Sequence, residues 1–250
     1  MNGIEIRKCE LAERDTKMKT VGLIGGMSWE STATYYLELN RYINQKLGGY
    51  HSAKCILYNI QYQDIKDVHK NGDWDRAGDI LSEAALSLKA GGADFIILAT
   101  NTMHIVAPRI KTAVDLPFLH IAEVTTDRLL QDNIRTVALL GTRFTMEKDF
   151  YKNVLVDHGI NVLIPEKDHI EKIHEIINKE LILGKVTASS RECFKDIILS
   201  LQKRGAQGVI LGCTEIGLLI KQEDSILPVY DTALLHADAA AEYALNDSLA

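Results

Sequence analysis

No stretch of this chain is apolar over the roughly 20 residues that a membrane span requires, and the charged opening segment 1–17 lacks the apolar middle of a secretory signal. These absences predict a cytoplasmic protein. Basic residues are in the minority, 28 Lys and Arg against 34 Asp and Glu, giving a formal net charge of -6 with no long Lys/Arg run. Such a balance gives no electrostatic footprint for nucleic acid or an anionic membrane, so the expected partner is a small molecule. Cysteine is scarce as well. Cys9, Cys55, Cys193 and Cys213 form no CxxC pair and are too few to staple a chain of 250 residues, which predicts free thiols.

Several chemical signatures are also missing. Gly22-Leu23-Ile24-Gly25-Gly26-Met27-Ser28 follows an apolar run as an anion cradle would, but it lacks the GxGxxG spacing of dinucleotide binding, and no GxxxxGK[ST] phosphate loop occurs. There is no Gly-x-Ser-x-Gly elbow for a serine hydrolase. The histidines are scattered; His169 and His174, five apart, turn to different sides of a helix and read as a solvated face, so no metal site is expected.

What the chain does contain is alternation. Short β-rich runs at 20–24, 53–59, 94–99, 117–121, 136–140, 161–164, 207–212 and 227–230 are separated by longer amphipathic ones. Ala77, Ile80, Leu81, Ala84, Ala85 and Leu88 follow the stripe of a helix resting on a sheet. That order predicts an α/β protein with parallel strands and covering helices.

Landmarks then recur in order. Thr20–Gly25 parallels Thr136–Gly141, Leu116-Pro117 parallels Leu227-Pro228, and Ile96-Ile97-Leu98-Ala99-Thr100-Asn101-Thr102 parallels Val209-Ile210-Leu211-Gly212-Cys213-Thr214-Glu215. The repeat predicts two pseudo-symmetric Rossmann-like α/β domains. Residues 18–121 with 232–250 would form the first and 122–231 the second, preceded by a poorly ordered extension, 1–17. Ligands of parallel sheets collect beyond the carboxyl ends of the strands, where every repeated motif sits. The expected site is therefore a cleft between the halves, lined by Gly25–Ser28, Thr100–Thr102, Gly141–Thr145 and Cys213–Glu215.

In that register Thr100 faces Cys213. A cysteine between a strand end and a helix start is placed where backbone N–H groups and the helix dipole favour thiolate. The other three cysteines lie in the tail, inside a strand and in mid-helix, and read as structural. Two proton-transfer groups on opposite faces of one carbon would invert a stereocentre. A thiol can serve as acid and base near neutral pH, whereas the Thr100 hydroxyl is too weak unaided and would need a neighbour such as His104 or a water.

Gly25-Gly26-Met27-Ser28-Trp29-Glu30-Ser31-Thr32, Thr100-Asn101-Thr102-Met103-His104, Gly141-Thr142 and Gly212-Cys213-Thr214-Glu215 together make the chain from Met18 onward resemble the aspartate/glutamate racemases of the Asp/Glu/hydantoin racemase superfamily. The resemblance implies paired α/β domains, a homodimer, an acidic amino-acid substrate, and no pyridoxal phosphate, other cofactor or metal. It places the catalytic pair at positions 100 and 213. Asn101 and Thr102 would hold the substrate carboxylate with Thr214 mirroring them beside Glu215, Met27, Ser28, Thr142 and Thr145 would close the cleft, and Lys185 would contact the acidic side chain. Thr100 departs from the better-known members, which carry cysteine there. An enzyme with unequal treatment of the two enantiomers is the expected result. A single-cysteine decarboxylase of the arylmalonate type and a non-catalytic acidic amino-acid-binding protein are the alternatives.

Overall fold

The computed structural model of the protein describes residues 18–245. The extension expected over 1–17 and the last five residues of the segment 232–250 lie outside the described residues. Seven strands, β1 (Val21–Gly25), β2 (Cys55–Asn59), β3 (Phe95–Leu98), β4 (Thr136–Gly141), β5 (Asn161–Leu163), β6 (Gly208–Gly212) and β7 (Val229–Asp231), form two parallel sheets. Their orders are β2-β1-β3 and β5-β4-β6-β7. The first sheet has α1 (Trp29–Leu47), α2 (Tyr62–Asn71), α3 (Trp74–Ala90) and α4 (Ala107–Ala113) between and after its strands. Helix α5 (Ile121–Gln131) leads into the second sheet, which carries α6 (Arg143–Glu147), α7 (Asp149–Asp157), α8 (Lys167–Lys179), α9 (Ala188–Lys203) and α10 (Ile216–Leu219). The chain then returns through α11 (Thr232–Leu245).

The two sheets repeat one connectivity. β1 lies between β2 and β3, and β4 lies between β5 and β6 in the same parallel sense. The counterpart of β7 in the first sheet is a single bridge, Ile96 to Phe118. A full strand over 117–121 was expected there; Ile96 exchanges hydrogen bonds with Pro117 and Leu119 only, because His120 already caps α5, its Nδ1 accepting the Ala122 amide at 3.2 Å. Ile121 is helical.

Central strands of a parallel sheet are covered on both faces and so read as unbroken apolar runs. Val21, Leu23, Ile24, Ile96, Ile97, Leu98, Val209, Ile210 and Leu211 are all fully buried for that reason. The predicted stripe of α3 buries Ala77, Leu81, Ala84, Ala85 and Leu88 against Ile24, Ile96 and Leu98. On the other face of the first sheet lie Tyr35, Leu39 and Ile43 of α1 together with Ala233, Ala237, Ala240, Ala241 and Ala244 of α11. Small alanines let α11 approach closely.

One charge on that helix works against the fold. Asp238 of α11 has a buried carboxylate oxygen with no partner among the described residues, and its carboxyl is raised to about 6, by burial first and then by Glu38 of α1 and Glu242. A folded-state value above the ordinary one means that this carboxyl's contribution to stability is present in full below about pH 4 and is lost as pH rises through about 6. Asp238→Asn is expected to raise stability at pH 7.5 by about 1 kcal/mol, after discounting for the side chain's partial exposure to solvent. At pH 4 the gain should vanish. Thermal melts at the two pH values check this; an equal gain at both would assign the effect to something other than the charge.

Candidate active site

Both sheets end at glycine beside the cleft, and the reason is close approach. A Cβ on Gly26, the residue after β1 with φ +94, would collide with the Ile60 carbonyl oxygen, and one on Gly141, the end of β4, would fall 2.7 Å from that of Gly212. Beyond these ends lies a cavity of about 500 Å³. Its inner wall is Met27, Thr100, Asn101, Thr102, Thr142, Gly212, Cys213, Thr214 and Glu215. Its outer wall includes Tyr62, Lys66 and Asp67 from α2, Arg143 and Phe144 from α6, and His174 and Asn178 from α8.

Thr100 follows β3 and Cys213 follows β6, so the repeat brings both to one cavity. Cys213 is part of a network. Its Sγ donates to Glu215 Oε2 at 2.9 Å, Thr214 Oγ1 donates to the same oxygen at 3.0 Å, and Ser28 Oγ donates to Oε1 at 2.8 Å. Ser28 also caps α1 through the Ser31 amide, which aligns its hydroxyl from the opposite half of the molecule. The thiol is pushed well up from its ordinary value by burial, then by the charge of Glu215 and the hydrogen bond to it. This corrects the expected thiolate: the Glu215 and Ile216 amides do favour the anion, but α10 is a single turn with little dipole, and a carboxylate stands in contact with the sulfur. The resting group is Cys213–SH with an acceptor already in place.

The Thr100 side is built differently. Thr102 Oγ1 lies 3.0 Å from Thr142 Oγ1 and 3.4 Å from Thr145 Oγ1, and Thr142 caps α6 through the Thr145 amide. Where the Cys213 side has a carboxylate, this side has three hydroxyls, Thr102 from the first half and Thr142 and Thr145 from the second. His104 does not serve the Thr100 hydroxyl as expected, because both its ring nitrogens are engaged. Nδ1–H donates to the Thr100 carbonyl at 2.7 Å and Nε2 accepts the Ile121 amide at 3.2 Å. Burial and the neighbouring His120 and His236 hold the ring well below the usual histidine range, hence neutral.

Asn101 is 3 % exposed, and its orientation is set by a chain of donors. Thr232 Oγ1 gives its proton to the Leu211 carbonyl at 2.8 Å, so it accepts from Asn101 Nδ2 at 2.9 Å. Asn101 Oδ1 is left buried without a partner among the described residues. The carboxamide therefore keeps a free acceptor in Oδ1 and one further N–H on Nδ2, the second of which suits the implied contact with a carboxylate.

Lys185 is exposed on the turn after Gly184, which has φ 69, and does not line the cavity. The cations that do are Lys66 and Arg143, the latter 3.2 Å from Glu171. Arg143 lies within the expected lining segment Gly141–Thr145, although no role was read for its charge; Lys66 and Tyr62 escaped the sequence reading, and His174, read as part of a solvated face, lines the cavity and accepts the Arg143 amide. Thr145 is fully buried behind Thr142. Among the described residues no group of three His, Cys, Asp or Glu could hold a metal ion, and no helix is long and apolar enough to cross a membrane.

The Asp/Glu/hydantoin racemase family model matches residues 24–240. The chain belongs to that family. A Yersinia pestis structure assigned to the Asp/Glu racemases is 48% identical to this family member, covers 91% of this chain and 100% of its own, and superposes with a TM-score of 0.86. An aspartate racemase homologue from Pyrococcus horikoshii OT3 is 34% identical, with 91% and 99% covered and a TM-score of 0.79. The broad specificity amino-acid racemase RacX of Bacillus subtilis (strain 168) is 24% identical over 220 residues, 85% of this chain and 92% of RacX. The family member described here is an isomerase of the racemase type.

Proposed function

We propose that the enzyme inverts the α-carbon of an acidic amino acid, aspartate or glutamate, without a cofactor, using Cys213 on one face and the Thr100 side on the other. The observation that carries this reading is the Cys213–Glu215 contact at 2.9 Å in a cavity that also contains Thr100. Glu215 accepts the sulfur's proton, and the thiolate so formed takes the α-proton. The C–H electrons then delocalise into the substrate carboxylate, and a proton returns from the Thr100 side, relayed by water since the hydroxyl alone is too weak an acid. In the reverse direction the Cys213 thiol is the donor.

The hydroxyls of Thr102 and Thr142 suit the substrate carboxylate, and the free acceptor of Asn101 suits its ammonium. Lys66 and Arg143 supply positive charge to an acidic side chain. Tyr62, Phe144 and Ile182 add apolar surface to the same wall, and the name of RacX speaks of broad specificity, so neutral polar side chains belong to the expected range.

The test is α-deuterium uptake and inversion from each enantiomer in heavy water, for the wild type and Thr100→Cys. Enantiomers have equal free energy, so kcat/KM must match in the two directions; the asymmetry is expected in exchange relative to inversion, one enantiomer exchanging without inverting. Thr100→Cys should bring the two enantiomers closer together and speed inversion by about tenfold. Absence of exchange with every amino acid tried, or carbon dioxide release from a substituted malonate, would sink the racemase reading.

A further inference from the structure

Thr100 and Cys213 occupy equivalent places, yet their backbones are held by different devices. The Cys213 carbonyl accepts the Ile216 amide at 3.0 Å, a bond internal to the following turn. The Thr100 carbonyl accepts a side chain, His104 Nδ1–H, at 2.7 Å. His104 is 1 % exposed, and its other nitrogen is fixed by the first amide of α5. The equivalent of His104 in the second half is Gly217, four residues beyond Cys213 as His104 is beyond Thr100, so nothing there repeats the arrangement. The segment that anchors His104 is itself pinned from α11: His236 Nε2–H donates to the Leu119 carbonyl at 3.1 Å, while Nδ1 of His236 accepts the Tyr35 hydroxyl at 2.9 Å.

We propose that His104 is a positioning residue for one half of the reaction: it sets Thr100 against the substrate through the Thr100 carbonyl and α5, and leaves the Cys213 half untouched. This rests on the racemase reading. Removal of the imidazole frees the Thr100 backbone while the Cys213–Glu215–Ser28 network keeps all its bonds. The consequence is selective. Proton exchange on the Cys213 face continues, and inversion, which needs both faces, falls.

The experiment compares wild type with His104→Phe, which keeps ring volume and loses both bonds, and His104→Gln, which retains one donor and one acceptor. Each enantiomer of aspartate and of glutamate is incubated in heavy water, and exchange and inversion are followed separately. His104→Phe is expected to raise the ratio of exchange to inversion at least tenfold for one enantiomer only, and His104→Gln to recover part of the inversion. Exchange and inversion falling in equal proportion, or no change at all, would overturn the proposal. A wild type that exchanges nothing would overturn the racemase reading and this proposal with it. Should His104→Phe fail to fold, nitrogen NMR of wild-type His104 remains decisive: the proposal requires a slowly exchanging proton on Nδ1, the less common tautomer of neutral histidine, and a proton on Nε2 instead would end it.

Discussion

Cys213→Ser is expected to lower inversion by about 10³-fold while leaving ligand-induced thermal stabilisation in place. The hydroxyl is nearly the size of the thiol, still donates to Glu215, and should not disturb the bonds that Glu215 makes to Ser28 and Thr214. What it loses is acidity. An alcohol beside a carboxylate does not become an alkoxide at neutral pH, so neither proton abstraction nor its reverse has a competent group on that face. On the proposed reading, binding rests on other atoms lining the cavity, those of Thr102, Thr142, Asn101 and the outer wall, and is expected to persist. Inversion rates and melting shifts with aspartate and glutamate measure the two separately; a serine variant keeping a tenth of wild-type activity would remove Cys213 from the chemistry.

Glu215→Gln should cost about 10²-fold in inversion rate at neutral pH and change the shape of the pH profile. In the wild type the thiol's proton has a destination 2.9 Å away. Glutamine keeps the volume but cannot take that proton, so thiolate must form by loss to solvent. Burial, the largest cause of the raised Cys213 value, is unaffected by the change, whereas the contribution of the carboxylate charge disappears. The thiol therefore titrates lower than in the wild type but still above its ordinary range. The variant's rate should climb with pH on the alkaline side, where the wild-type rate has already levelled. A variant whose profile runs parallel to the wild type would show that Glu215 holds the loop rather than the proton.

The strands, bar the one expected over 117–121, and their alternation with helices were legible because burial on both faces leaves an unambiguous apolar signature, as in Ile96-Ile97-Leu98 and Val209-Ile210-Leu211. Register followed from the repeat, which is why Thr100 and Cys213 could be placed against each other. Most of the outer wall was not legible. Lys66 and His174 sit on helices whose polar residues look alike whether they face water or a water-filled cleft, and only the gathering of α2, α6 and α8 around one cavity distinguishes the two. The state of Cys213 was misread for a related reason: strand and helix ends announce a dipole, but burial and the direction in which Glu215 turns are tertiary facts. Lys185 was carried by its neighbours in sequence, and a left-handed turn at Gly184 points it away.

The alanine face of α11 has a consequence for the order in which the protein can be made. Val21, Leu23, Phe95 and Ile97 bury one side of the first sheet partly beneath Ala233, Ala237, Ala240 and Ala244, which are separated from β3 by the whole second sheet. As the chain emerges from the ribosome, that side of the first half has α1 alone to cover it while the second sheet, with its nearer contacts, has the material to close. The half that begins first is finished last, and the nascent chain carries a partly open apolar face until α11 arrives.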